Sequence, residues 1–280
     1  MRDAVGRALA EDCLPLGDLT ASLLDPARTA HMVFVARAGG VVAGRLCAVE
    51  TFHQVDPAVE VDWHRPDGTA AAAGTVLADV RGPAGSILTA ERTALNFLCH
   101  LSGVATATRR MVDAVAAANP ATRVLDTRKT LPGLRALEKA AVRAGGGTNH
   151  RGSLSEGVLV KDNHRGGLTV AEAVRLARAR WPGRMVEVEC DRTDQVAEAA
   201  GAGATIVMLD NMTPEQVAEA VALVRSSGRP EALVEVSGGV TLATAPAYAA
   251  AGADLVSAGG LTHSAPALDI GLDLMAAPGT

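Results

Sequence analysis

The chain has 280 residues, of which 48% are hydrophobic and 20% are charged, a composition typical of a folded globular protein. Its net charge of −5 and its two Trp, one Tyr and three Phe argue against general nucleic-acid binding, which needs basic surfaces and aromatic stacking platforms. No stretch of about 20 residues is apolar throughout, no signal peptide is indicated, and the four Cys form no CxxC pair, so we expect a cytoplasmic protein.

The first hundred residues mix helical stretches with short β-type runs. Val5 to Glu11 is predicted as a helix, and apolar runs between turn residues predict strands at 31–35, 41–43, 59–63 and 76–80. Thr89 is predicted to cap a helix that continues to about Leu101. Arg92 then falls in the first helical turn, where a cation opposes the helix dipole, unless Glu91 offsets its charge.

From residue 122 onward the chain repeats a short β run, a polar or glycine-containing end and a helical stretch. The predicted strands are 123–125, 158–160, 185–188, 205–209, 233–236 and 255–257, with helices near 133–144, 169–180, 193–200, 214–226 and 242–251. Strands that are apolar on both faces and alternate with helices predict a parallel sheet covered by helices. We predict an α/β barrel; the competing fold is a doubly wound open sheet, but its GxGxxG dinucleotide turn is missing.

Residues capable of chemistry follow each of these strands. In chain order they are Asp126–Lys129, Lys161–Asp162, Glu189, Asp210–Asn211, Ser237–Gly239 and Gly259–Gly260. Because the C-terminal ends of barrel strands share one rim, where active sites are built, we expect these residues to converge.

The charge and glycine content of this rim indicate its ligands. Residues 123–165 contain nine Arg or Lys and only four acidic residues, so an anion is expected there. Glycine turns after the last two strands favour phosphate binding through backbone N–H groups, the alternative being tight turns without a ligand. Glu189 and Asp210 suit sugar hydroxyls or a divalent cation, the alternative being structural salt bridges.

Three consecutive glycines at 145–147 precede His150 and Arg151 and allow the backbone to bend sharply toward the rim. With Arg128 and Lys161 expected nearby, carboxylate recognition is favoured, because the guanidinium fork matches a carboxylate. The sequence contains no HExxH zinc motif and no Ser-His-Asp arrangement, so hydrolysis of those kinds is not indicated.

Taken together, these motifs resemble the quinolinate phosphoribosyltransferase family. The segments that carry the resemblance span nearly the whole chain: Glu91-Arg92-Thr93-Ala94-Leu95-Asn96, Asp126-Thr127-Arg128-Lys129-Thr130, Gly145 to Arg151, Leu159 to His164, Val188-Glu189, Leu209-Asp210-Asn211, Ser237-Gly238-Gly239 and Leu261-Thr262-His263-Ser264. The resemblance implies an N-terminal α+β domain at 1–104 and an incomplete, seven-stranded, TIM-like α/β barrel at 105–264. It also implies that a C-terminal tail, about 265–280, packs back on the first domain.

The resemblance further implies an activity and its residues. The family transfers phosphoribosyl from phosphoribosyl pyrophosphate to quinolinate with decarboxylation, giving nicotinate mononucleotide, pyrophosphate and CO₂ in NAD biosynthesis, with Mg²⁺ as cofactor. The residues implied for quinolinate are Arg92, Thr127, Arg128, His150, Arg151 and Lys161. Those implied for phosphoribosyl pyrophosphate are Lys129, His164, Glu189, Asp210, Ser237, Gly238, Gly259 and Gly260. Lys161, Glu189 and Asp210 are the implied catalytic residues, and Glu189 and Asp210 are also candidate Mg²⁺ ligands. Gly260 departs from the family pattern, which has Ala there more often.

The resemblance also implies a homodimer with a shared site, to which Arg92 is donated by the partner, and leaves a higher oligomer open. Two other interpretations stay open: a paralogue with the same barrel and a different substrate, such as the molybdenum-transport-associated homologue, or a catalytically silent phosphate-binding protein. The intact Asn-His-Arg and Lys-Asp-Asn-His segments argue against the first, and the charged rim argues against the second.

Overall fold

The computed structural model describes residues 1–275, which form two compact units. The first unit combines Met1–Arg109, Leu131–Gly146 and the chain from Ala265; the second combines Arg110–Thr130 with Gly147–Ser264. The domain prediction placed one boundary at residue 104 and gave 131–146 to the barrel, whereas this segment groups with the first unit. Residues 276–280 of the predicted tail lie outside the described residues.

The strands divide between two main sheets. In chain order they are β1 Thr29–Ala36, β2 Gly40–Val41, β3 Glu60–Trp63, β4 Ala70–Ala71, β5 Val76–Pro83, β6 Arg123–Leu125, β7 Val158–Val160, β8 Val186–Cys190, β9 Ile206–Asp210, β10 Leu233–Ser237, β11 Leu255–Ser257 and β12 Ile270–Leu274. The first unit contains an antiparallel sheet in the order β12-β1-β5-β3 and the small pair β2-β4. The second contains a parallel sheet in the order β6-β11-β10-β9-β8-β7. The predicted α+β and α/β classes are therefore confirmed.

The helices connect these strands. They are α1 Arg2–Cys13, α2 Arg45–Val55, α3 Ala84–Ala118, α4 Arg135–Ala144, α5 Val170–Arg180, α6 Thr193–Ala202, α7 Pro214–Ser226, α8 Ala245–Ala250 and α9 Gly260–His263, with 3₁₀ turns at Ala21–Leu23 and Asp162–His164. None of the helices in residues 1–275 has both the length and the apolar character that crossing a lipid bilayer requires.

The start of α3 corrects the prediction for Thr89. The helix begins at Ala84, and the Thr89 side chain donates a hydrogen bond to Asp18 Oδ2 at 3.0 Å instead of capping the helix. Arg92 consequently lies in the helix interior, and the predicted conflict with the helix dipole does not arise. Burial of Ile87, which is fully excluded from solvent, draws residues 84–88 into the helix although their Gly and Ser favour a turn.

An apolar core lies between the antiparallel sheet and the helices of the first unit. The Phe34 and Phe52 rings meet edge to face with centroids 6.1 Å apart, and Phe34 stacks on Trp63 at 5.7 Å. Gly103, in α3, lies so close to the chain near Pro266 that an added Cβ would be 2.2 Å from the Pro266 carbonyl oxygen. Only glycine permits this approach, although glycine inside a helix lowers its intrinsic stability.

The parallel sheet of the second unit brings six strand ends to one edge. Val207, Val234 and Val236 are fully buried, which explains why the sequence of these strands is apolar on both faces. Of the seven strands predicted, six form as strands, and a further segment pairs with β6 through one parallel bridge between Leu125 and Thr148. That bridge carries residues 149–151 to the same edge of the sheet.

Candidate active site

A cavity of about 320 Å³ lies at the C-terminal ends of the parallel strands in the second unit. Nine of its lining residues were predicted from the sequence: Thr127, Arg128, Lys129, His150, Arg151, Lys161, Glu189, Asp210 and Ser237. The remaining lining residues are Leu159, Met208, Glu235 and Ser257. Residues more than a hundred positions apart thus share one small space, as expected for strand ends that meet at a rim.

Asp126, at the end of β6, anchors the loops on one side of this cavity. Its carboxylate is fully buried and accepts hydrogen bonds from Asn149 Nδ2 at 2.5 Å and from the His150 backbone N–H at 2.9 Å. The Thr127 hydroxyl accepts the Lys129 backbone N–H at 2.9 Å. The loop after β6 and the segment that carries His150 are therefore fixed to each other before any ligand binds.

Arg128 and Arg151 bring two guanidinium groups into the cavity. Burial first, and then the neighbouring positive charge of Arg128, lower the pKa of Arg151. Arg151 Nη1 donates to the Gly157 carbonyl oxygen at 2.9 Å, which fixes the direction of its side chain. Two cations held this close favour an anion between or beside them, and the fork geometry of Arg suits a carboxylate.

Lys161 and Glu189 form a hydrogen-bonded ion pair across the ends of β7 and β8. Both side chains line the cavity, with that of Lys161 39% exposed and that of Glu189 18% exposed. Asp210, the last residue of β9, accepts a hydrogen bond from Asn211 Nδ2 at 2.8 Å through Oδ2. Within the described chain, these bonds use one oxygen of each carboxylate and leave the other for a sugar hydroxyl or Mg²⁺, so the donor set fits the predicted metal.

The two glycine turns differ in how closely they are packed. Gly238 has φ of +85°, and an added Cβ would lie 2.4 Å from Asn211 Oδ1 and 2.8 Å from Asp210 Oδ1. A Cβ on Gly259 would lie 2.9 Å from Lys129 Cδ, whereas one on Gly260 would meet nothing within 4 Å. Gly238 and Gly259 thus permit close backbone approach near the cavity, and Gly260 does not need to be glycine for packing.

Several predicted residues lie outside the cavity lining. Gly238, Gly259 and Gly260 are beside it, and His164 is exposed in the 3₁₀ turn after β7, where its Nδ1 accepts the Lys161 backbone N–H at 3.3 Å. Arg92 belongs to the first unit, where it is exposed on α3. The structure does not test the roles of these residues, which stay predictions.

Glu187 and Glu235 are polar residues that the sequence analysis did not select. Both are fully buried in the parallel sheet, on β8 and β10, and lie next to the His150 ring. Their signal in the sequence was a glutamate between two valines in a buried strand, in Val-Glu-Val-Glu-Cys and in Leu-Val-Glu-Val-Ser. A carboxylate in a strand buried on both faces is costly, so its presence marks a position worth attention.

The fold and cavity can now be compared with known proteins. The model of the C-terminal domain of quinolinate phosphoribosyl transferase matches residues 104–273, and the model of its N-terminal domain matches residues 18–102. The chain belongs to the quinolinate phosphoribosyl transferase family. The C-terminal match of that family contains every residue that lines the cavity, and the N-terminal match contains Arg92.

Relatives and solved structures agree with this family. The chain is 42% identical to the nicotinate-nucleotide pyrophosphorylase [carboxylating] of Mycobacterium leprae, over 98% of this chain and 96% of the relative. It is 40% identical to the Homo sapiens protein of the same name, over 96% of this chain and 89% of that one. A solved nicotinate-nucleotide pyrophosphorylase from Francisella tularensis superposes with a TM-score of 0.91 and 36% identity, covering 98% of this chain and 95% of that structure.

Proposed function

We propose that this protein is a quinolinate phosphoribosyltransferase, which joins quinolinate to phosphoribosyl pyrophosphate and releases pyrophosphate and CO₂ to give nicotinate mononucleotide for NAD biosynthesis. The proposal rests on one observation. The guanidinium groups of Arg128 and Arg151 line the same cavity, which is also lined by Lys161, Glu189 and Asp210. Quinolinate carries carboxylates on adjacent ring carbons, which requires two neighbouring cationic groups. Family membership supports the same activity.

In this proposal the cationic side of the cavity binds quinolinate. Arg128 and Arg151 each bind one carboxylate, and Thr127 and His150 form the same wall of the cavity. Lys161 donates one of its hydrogen bonds to a substrate oxygen in place of Glu189. Such an exchange is inexpensive, because one charge-assisted hydrogen bond replaces another. The arrangement fixes the pyridine nitrogen toward the sugar and supplies the proximity that glycosyl transfer requires.

The opposite side of the cavity binds phosphoribosyl pyrophosphate. Lys129, His164, Ser237 and the turns at Gly238, Gly259 and Gly260 hold phosphate oxygens, while Glu189 and Asp210 accept hydrogen bonds from ribose hydroxyls. As the bond from C1′ to the pyrophosphate oxygen breaks and the bond from C1′ to the pyridine nitrogen forms, the sugar develops positive charge. The Glu189 and Asp210 carboxylates stabilise that charge electrostatically.

Loss of CO₂ follows from the first step. Alkylation makes the ring nitrogen cationic, so the electron pair left at C2 when the C2 carboxylate departs is stabilised by the adjacent positive charge. A proton added at C2 then completes nicotinate mononucleotide. The protein contributes positioning and electrostatics more than covalent chemistry.

Mg²⁺ is part of the proposal, bound by Glu189, Asp210 and the substrate. When present, it neutralises charge on the leaving pyrophosphate. The oxygen-only donor set at these two residues supports a hard divalent cation.

We also propose a cytoplasmic homodimer in which Arg92 of one subunit completes the site of the other. An apolar groove of about 710 Å³ between β7 and α5 supports a second copy as the partner, because it exposes Leu154, Leu176 and Trp181 by 70%, 54% and 55%. Exposed apolar surface of this kind is typical of interfaces. The cytoplasmic location is supported by four cysteines without a disulfide.

A direct assay tests the activity. Purified protein with Mg²⁺ and phosphoribosyl pyrophosphate is expected to convert quinolinate, and not nicotinate, to nicotinate mononucleotide, with one CO₂ released per product. Equal turnover of nicotinate would contradict recognition of two carboxylates.

Complementation between inactive variants tests the shared site. Arg92→Ala and Lys161→Ala are each expected to be inactive alone, and their mixed dimer should regain activity because one of its two sites carries both native residues. Verified mixed dimers without activity would exclude donation of Arg92 by a partner.

A further inference from the structure

A buried group of three titratable side chains lies at the wall of the cavity, which two of them, His150 and Glu235, line. His150 Nε2 is 2.9 Å from Glu187 Oε2 and 3.7 Å from Glu235 Oε2. The His150 side chain is 8% exposed, and both glutamates are fully buried. One carboxylate oxygen of each glutamate and a ring nitrogen of His150 all lie within 4.8 Å of one another. Two carboxylates this close in a buried site cannot both be ionised without a large free-energy cost.

The hydrogen bond at the other ring nitrogen fixes the tautomer of His150. The Arg151 backbone N–H donates to His150 Nδ1 at 2.8 Å, so Nδ1 must present a lone pair. The ring proton is therefore on Nε2, where it donates to Glu187. An imidazolium would direct a second N–H at the Arg151 amide, and a metal on Nε2 would require an imidazolate.

Three carboxylate oxygens of the group need a donor. In residues 1–275, Glu187 Oε1 and both oxygens of Glu235 accept no hydrogen bond of good geometry. The Ser257 hydroxyl donates to the Val236 carbonyl oxygen at 3.5 Å and is close enough to Glu235 to lower its pKa, but by less than burial and Glu187 raise it. A proton retained by Glu235 supplies a donor directed at Glu187. In support, burial and then the charge of Glu187 raise the pKa of Glu235 to about 8.

The charges around His150 favour its protonated form, and a proton on Glu235 removes part of that effect. Burial lowers the pKa of His150, but the hydrogen bond that Nε2–H donates to Glu187 and the charges of Glu187 and Glu235 outweigh burial and raise it. Once Glu235 carries a proton, its contribution to that rise disappears. The contact between Nδ1 and the Arg151 amide then favours the neutral ring.

We propose that Glu187 and Glu235 are positioning residues for phosphoribosyl transfer: a hydrogen-bonded carboxyl pair that orients His150 and thereby holds the backbone of Arg151. Glu235 donates to Glu187, Glu187 accepts from His150 Nε2, and His150 Nδ1 accepts from Arg151. This inference rests on the proposed function, in which Arg151 holds a substrate carboxylate.

The same pair also acts on Arg151 through charge. The carboxylate of Glu187 raises the pKa of Arg151 and so opposes the effect of Arg128. The buried negative charge of Glu187 therefore offsets part of the repulsion that Arg151 experiences from Arg128 before substrate arrives. Glu187 acts through its negative charge, and Glu235 acts through the proton that it donates to Glu187.

Substitution of Glu235 separates the need for a donor from the need for a charge. Glu235→Ala is expected to raise the quinolinate KM about 100-fold, because a small displacement of a positioned group has effects of that size. Glu235→Gln keeps an N–H donor toward Glu187 and is expected to restore a KM close to that of the native protein. The KM for phosphoribosyl pyrophosphate should change little in either variant.

Val234→Ala is the matched control, because Val234 is equally buried on β10 and its side chain points to the opposite face. It should lose stability without a change in quinolinate KM. A Glu235→Gln variant as impaired as Glu235→Ala would overturn the inference, as would a Glu235→Ala variant with unchanged KM.

Imidazole ¹⁵N NMR provides a readout that does not depend on turnover. His150, assigned by comparison with His150→Gln, is expected to show the neutral Nε2–H tautomer at pH 7 in the native protein and in Glu235→Gln. A cationic ring, or a tightly retained metal ion lost on Glu235→Ala, would overturn the proton arrangement. Native protein that shows the tautomer but does not convert quinolinate would instead contradict the proposed function.

Discussion

The two units of the molecule use their interiors differently. The first buries aromatic side chains, with Phe34 and Phe52 fully excluded from solvent. The first also buries Glu138, which is hydrogen-bonded to His100 Nε2 at 2.9 Å and accepts the Leu131 backbone N–H at 3.1 Å. The second buries Glu187 and Glu235 in a sheet of small aliphatic residues, and in residues 1–275 Glu187 Oε1 and both oxygens of Glu235 accept no hydrogen bond of good geometry. Aromatic burial stabilises a fold, whereas buried carboxylates cost free energy unless they are paired. The carboxylates buried in the second unit are therefore explained by their role at the cavity.

The largest effect should come from the aromatic core. Phe34→Ala removes a ring that contacts Phe52 and Trp63 and is expected to lower the free energy of unfolding by about 3–5 kcal/mol. Chemical denaturation measures this loss, and Val76→Ala, at a 40% exposed position of the same sheet, is the control. At a temperature where the variant stays folded, its quinolinate KM should match that of the native protein. A raised quinolinate KM in the folded variant would contradict the expectation that the aromatic core affects stability and not substrate binding.

A smaller effect on stability, but a large one on activity, is expected from Arg128→Ala. Truncating one partner of a desolvated charge pair costs about 2–5 kcal/mol, which corresponds to a fall of roughly 30-fold to 5,000-fold in kcat/KM for quinolinate. The substitution removes a positive charge that repels Arg151. The free energy of unfolding should therefore change much less than it does in Phe34→Ala. Arg175→Ala, on the exposed face of α5, is the control. Equal losses in the two Arg variants would argue against a specific carboxylate contact.

The smallest predicted effect separates the two glycine turns. Gly238→Ala places a Cβ against Asn211 and Asp210 at a positive φ, so we expect a raised KM for phosphoribosyl pyrophosphate and a loss of about 1–3 kcal/mol in stability. Gly260→Ala meets nothing within 4 Å and should be neutral in both measurements. If Gly260→Ala raised that KM as much as Gly238→Ala, the close approach at Gly238 would not be the cause.

Sequence reasoning succeeded where local pattern and tertiary environment agree. Strands β6 to β11 were predicted because a strand covered on both faces must be apolar, and the cavity was predicted because strand ends share an edge. The start of α3 was missed because burial of Ile87 overrides the local preference of Gly85 and Ser86. Helix α2 was missed because its apolar positions, such as Cys47 and Phe52, are interspersed with residues of mixed secondary-structure preference.

The buried pair at the wall of the cavity was missed for a different reason. A glutamate within a strand normally faces solvent, and only the three-dimensional arrangement shows that Glu187 and Glu235 face each other and His150. Segment 131–146 was assigned to the barrel because it lies between two barrel strands in sequence. Its grouping with the first unit depends on contacts that no local pattern contains.

The pairing of β1 with β12 has a consequence for synthesis of the chain. Met32 pairs with Leu274, so one edge of the antiparallel sheet receives its partner strand only when almost the whole chain exists. At about 5–20 residues per second, the ribosome needs roughly 12–50 s to cover that interval. During this time β1 presents unpaired N–H and C=O groups, the kind of edge at which chains aggregate. Rapid completion of translation, or a chaperone bound to this edge, should therefore raise the yield of folded protein.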